Sequence, residues 1–152
     1  MKSQLSADVS DCALFVARPH QEAARDAILA ARAAGKPGFL LGDLTGLGKT
    51  LSAWLAITAM PEQEVLIICP KGAIPQWRRT MARSAGPTKQ VTLLNFEKTK
   101  SLVLPPPDSK KRSTRAKNNE RAKHGVPKRT WPIVLIDESH RIRNPSAQQS
   151  LV

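Results

Sequence analysis

Apolar positions along the chain fall into two repeating patterns. Gln21 to Ala34 is alanine-rich, with Ala24, Ile28 and Leu29 at helical spacing, and stops at Gly35 and Pro37; this predicts a helix. Lys49 to Met60 predicts a second, with Leu51, Trp54, Leu55 and Thr58 on one side and Pro61 as its stop. Ile74 to Ser84 predicts a third, with Gly86 past its end. Between them lie short runs that are apolar throughout: Phe39-Leu40-Leu41, Val65 to Cys69, Val91 to Leu94, and Ile133 to Ile136. Unalternating strands separated by helices predict a mostly parallel sheet with helices on both faces, hence the α/β class. Such sheets bind ligands at the carboxyl ends of their strands. The segments after Leu41, Cys69 and Ile136 are therefore where chemistry is expected.

Two of those segments carry suitable residues. Gly42 to Thr50 runs from a strand through glycines into a helix opened by Gly48-Lys49-Thr50. Glycines let backbone N–H groups turn toward one point, the helix start adds partial positive charge, and Lys49 can reach outer phosphates. The Thr50 hydroxyl can take a Mg²⁺ position. A plain strand–turn–helix connection would share the spacing, and the strict phosphate-loop pattern wants Gly where Asp43 stands. The second segment is Ile133 to Ile136 followed by Asp137-Glu138-Ser139-His140. Asp137 at a buried strand end can hold Mg²⁺, and Glu138 can orient and deprotonate an attacking water.

Together these motifs resemble the Swi/Snf-type superfamily-two helicases and translocases. The Asp137 to His140 box is similar to the family's Asp-Glu-x-His motif. Asp43 to Thr50 resembles its motif I, including an Asp where other phosphate loops have Gly, though Leu44 stands where the family usually has Glu. Arg18-Pro19-His20-Gln21 looks like the opening Arg-Pro-x-Gln. Ile67 to Pro70 with Gln76-Trp77 resembles motif Ia, which touches the DNA backbone. Leu94 to Glu97 and Arg141 to Pro145 follow family signatures. These motifs lie in order from residue 18 to 146. The resemblance implies a RecA-like P-loop NTPase lobe over 18–152, incomplete at its C-terminus after the acidic box, with 1–17 as an N-terminal extension. It implies ATP and Mg²⁺ as ligands, held by Gln21 (adenine), Asp43, Gly46, Leu47, Gly48, Lys49 and Thr50. Thr50 and Asp137 would serve the metal, Lys49, Asp137 and Glu138 catalysis, and His140 coupling. Lys71 and Gln76 would face nucleic acid. A second RecA-like lobe, in trans or beyond residue 152, would supply an arginine finger, so little ATPase activity is expected of the isolated chain.

Charge sharpens the choice of partner. Of 152 residues, 24 are Lys or Arg and 12 are Asp or Glu, a net charge of +12. Nine basic residues against the single acid Glu120 lie between Lys110 and Arg129, so that stretch carries +8 of the total. Prolines at 105–107, 127 and 132 frame it, predicting an exposed mobile insertion over 105–131. Lys110, Lys111, Arg112, Arg115 and Lys117 could grip DNA phosphates, or the insertion could be merely solvated. Arg78, Arg79 and Arg83 leave the same two options open. Duplex DNA is expected ahead of single strands, with RNA a further option. Trp54, Trp77 and Trp131 suit core or rim positions, and Cys69 inert packing. His20 and His124 show no sign of a role. Two cysteines are too few for a disulfide framework, and no run approaches a membrane span or a signal-peptide core. A soluble intracellular protein is expected, cytoplasmic or nucleoid-associated, with the nucleus a further option. The alternatives to a motor lobe are a non-catalytic nucleic-acid-binding module and a truncated, inactive fragment.

Overall fold

The computed structural model describes residues 14–44, 46–104 and 126–142. Within them the protein is α/β, with three helices, a small all-parallel sheet and a short antiparallel ladder. The chain divides into two compact units, residues 1–60 with 76–87, and residues 61–75 with 88–152.

In the first unit, α1 (Pro19–Ala33) begins with proline at its first position, where a missing N–H costs nothing. The Gln21 side chain reaches back to accept from the Arg18 backbone N–H at 3.0 Å. Helix α2 (Lys49–Ala59) packs on α1. Ser52, Trp54, Ala56 and Ile57 are buried, Leu51, Leu55 and Thr58 are partly buried, and within the helix Ala59 alone is exposed. A helix this apolar has no solvent face to set its orientation. Helix α3 (Ile74–Arg83) buries Trp77 and Thr80 and exposes Arg78 and Arg79. Ahead of α1, the Phe15 N–H donates to the Arg83 carbonyl at 2.8 Å, and the Arg83 guanidinium lies 4.7 Å from the Phe15 ring centroid.

In the second unit, β1 (Glu64–Cys69) is the centre of the sheet, flanked in parallel by β2 (Gln90–Asn95) and β5 (Ile133–Ile136). Val65 pairs with Val91 on one side and Ile133 on the other. Val65, Leu66, Ile67, Cys69, Phe96 and Ile133 are buried. Strands β3 (Val103–Leu104) and β4 (Val126–Pro127) pair antiparallel and close the base of the expected insertion. Its return leg is tied down: Arg129 donates to the Glu64 carboxylate and stacks 3.9 Å from the Trp131 ring centroid. Residues 105–125, including Lys110, Lys111, Arg112, Arg115 and Lys117, lie outside the described residues, as does Thr45.

One predicted strand does not form. Phe39-Leu40-Leu41 joins neither sheet, and Phe39 and Leu40 are exposed. Among the described residues no strand pairs with it, so its backbone groups have no ladder to enter. Val134 and Ile136, on one face of β5, are likewise exposed.

Candidate functional site

The glycine loop is shaped by two residues in left-handed backbone, Gly46 (φ +87°) and Gly48 (φ +77°), the second of which opens α2. The Gly48 carbonyl accepts from Leu51 and Ser52, so the helix starts at Lys49. The Lys49 ammonium folds back over the loop, donating to the Asp43 carbonyl at 2.8 Å and the Leu44 carbonyl at 3.1 Å. Thr50 Oγ1 accepts from Gln76 Nε2 at 3.3 Å. The helix start of α1 meets the same loop. Gln21, itself buried, donates from Nε2 to the Leu47 carbonyl at 3.2 Å. His20 Nε2 lies 3.0 Å from that oxygen. A carbonyl only accepts, so this nitrogen carries the hydrogen.

Gln21, Asp43, Gly46, Leu47, Gly48, Lys49, Thr50 and Gln76 are thus brought together in one unit. The loop's charge balance there is a cation held by carbonyl dipoles at a helix start, a place that generally favours anions. His20 was missed from sequence; its only signal was its place beside Gln21.

The acidic box belongs to the second unit. The Asp137 N–H donates to the Ile68 carbonyl at 2.8 Å, carrying the β1–β5 pairing one residue beyond the strand. Glu138 then turns the chain with φ +56°, a conformation that a side chain makes costly and that clusters at functional positions. Its carboxylate oxygen lies 3.2 Å from His140 Nδ1, with both side chains more than half exposed. Cys69, at the end of β1, has its thiol pushed up to about 11, first by burial and second by the negative charge of Asp137. Lys71 is exposed just after β1. Among the described residues no cluster of three His, Cys, Asp or Glu could hold a metal, and no helix is long and apolar enough to cross a membrane.

A parallel sheet with acids at one strand end, and a glycine loop opening a helix, define a partial RecA-like lobe of the α/β class. The chain belongs to the family described as SNF2-related domain, whose model matches residues 20–152. It is 24% identical to the protein CHROMATIN REMODELING 24 of Arabidopsis thaliana over 87% of this chain and 14% of that protein. It is 29% identical to chromatin remodeling factor mit1 of Schizosaccharomyces pombe over 69% of this chain and 8% of that protein. With the ISWI chromatin-remodeling complex ATPase ISW2 of Saccharomyces cerevisiae it is 29% identical over 74% of this chain and 11% of that protein. The chain therefore spans about a tenth of the length of these relatives. No solved structure matches it.

Proposed function

We propose that this chain is the ATP-binding lobe of a DNA-dependent ATPase of the translocase type. The observation that carries the reading is the loop ahead of α2: two left-handed glycines, a helix start, and the Lys49 ammonium already seated on loop carbonyls that a phosphate would replace. The relatives named above as chromatin remodelers support DNA as the partner. Gln21, which among the described residues keeps one N–H and one lone pair to offer, selects adenine. Gly46, Leu47, Gly48 and Lys49 cradle the phosphates. The Thr50 hydroxyl and the Asp137 carboxylate are hard oxygen donors that suit Mg²⁺, which would neutralise phosphate charge when bound. Glu138 is the base that takes a proton from the attacking water, and His140, beside it, couples the site to motion. Lys71, Gln76 and the basic insertion (Lys110, Lys111, Arg112, Arg115, Lys117) face duplex DNA. Gln76 already touches Thr50, so one side chain meets both the nucleotide loop and the helix expected to face DNA.

Full turnover needs an arginine finger from a second lobe, a contribution of about 10³ to 10⁵ in rate in comparable systems. The test is nucleotide binding by the wild-type chain and Lys49→Ala, then phosphate release with duplex DNA in a system that supplies the second lobe. Lys49→Ala abolishes binding, and Glu138→Gln binds ATP but stops release. Nucleotide affinity that ignores Lys49, or turnover that survives Glu138→Gln, refutes the reading.

A further inference from the structure

The Leu47 carbonyl is bonded from two adjacent residues of another element, His20 at 3.0 Å and Gln21 at 3.2 Å. The peptide plane it belongs to also carries the Gly48 N–H. That peptide is trans, so oxygen and hydrogen point in opposite directions. Holding the oxygen toward α1 therefore aims the Gly48 N–H away from α1. Such restraint matters in this loop. A peptide flip rotates the backbone on either side of the plane, and Gly48 has no Cβ to bar the rotation. A ligand that needs one orientation loses affinity in proportion to the time spent in the other. Gln21 alone cannot settle the matter, since its amide also serves the Arg18 N–H and packs against Gly48.

We propose that His20 is a positioning residue: its Nε2–H, with Gln21, locks the Leu47–Gly48 peptide so that the Gly48 N–H is preset to donate to a phosphate oxygen. This rests on the reading of Gly46 to Thr50 as a phosphate loop, and it assigns a role to a residue that itself touches no nucleotide. His20 is solvent-exposed, so replacing it leaves the buried side chains in place.

The experiment compares the wild-type chain with His20→Phe, which keeps a ring but loses the donor, and His20→Gln, which restores an N–H of similar reach. Two probes are titrated, Mg·ADP and magnesium tripolyphosphate; the second has no adenine and reports the phosphate loop alone. One surface hydrogen bond corresponds to a fold-change of about two to ten. His20→Phe weakens both probes by that factor, and His20→Gln recovers most of it. The Gly48 amide signal in a ¹⁵N–¹H spectrum of the unliganded chain broadens or shifts in His20→Phe and returns in His20→Gln. A general structural defect would lower the melting temperature without that rescue. Binding that depends on Lys49 yet is unchanged in His20→Phe, with an unchanged Gly48 signal, overturns the positioning role alone. Absence of any Lys49-dependent binding by the wild-type chain overturns the phosphate-loop reading and this inference with it.

Discussion

Gly48→Ala should be among the most damaging single-methyl additions in this protein, and its cost divides into two parts. The first is conformational. At φ +77° an alanine pays the left-handed penalty, about 1–2 kcal/mol. The second is steric. A Cβ on Gly48 would come 2.3 Å from Gln21 Nε2, too near for the side chain to stay. Gln21 is the movable partner, but it is buried and both ends of its amide are bonded, to Arg18 N and Leu47 O. Displacing it forfeits two hydrogen bonds worth about 0.5–1.5 kcal/mol each. The sum is about 2–5 kcal/mol. Gly46→Ala is the internal control: φ is +87°, but among the described residues nothing lies within 4 Å of a Cβ placed there, so only the first part applies. Urea unfolding followed by circular dichroism should place Gly48→Ala about 1–3 kcal/mol below Gly46→Ala. In a Gln21→Ala background that excess should vanish, because the obstacle and its hydrogen bonds are already gone. Equal costs for the two glycines, or an excess that survives Gln21→Ala, would refute the reasoning.

Other outcomes follow from the sheet and the insertion. Ile67, fully buried in the central strand, should lose about 2–5 kcal/mol on truncation to alanine. Val134→Ala, at a residue 51% exposed, should stay under about 1 kcal/mol in the same urea assay. Cys69 predicts a pH effect: its folded value near 11 stands above its ordinary 9.0, so the folded state keeps a proton that the unfolded state releases. Relative to Cys69→Ala, wild-type stability should be constant below pH 9 and fall between pH 9 and 11; a flat difference across that window would contradict the burial argument. Deleting residues 105–125 removes seven Lys or Arg, and the slope of log affinity for duplex DNA against log salt should flatten by two or more. An unchanged slope would mark the insertion as a solvated loop.

Strands β1 and β5 were legible because Val65 to Cys69 and Ile133 to Ile136 are apolar at both parities, which suits a parallel sheet. Phe39 to Leu41 has the same letters and no ladder. Apolar character reports that a segment can enter a sheet, whereas pairing requires a neighbour in register, and three residues do not specify one. The order of α2 and the loop before it could be read from Gly48-Lys49-Thr50, yet the loop's actual contacts could not. Lys49 rests on the carbonyls of Asp43 and Leu44, and His20 and Gln21 meet on the carbonyl of Leu47. Backbone oxygens are present at every residue, so nothing in the side-chain sequence marks which ones are used. His20 and Leu47 are 27 residues apart, and only folding brings them together. Motif reading therefore finds residues whose own side chains do the chemistry. It passes over residues that act by holding a peptide plane, because their partner has no letter. That is why His20, whose only mark in the sequence is its place beside Gln21, stands beside the loop as its second anchor.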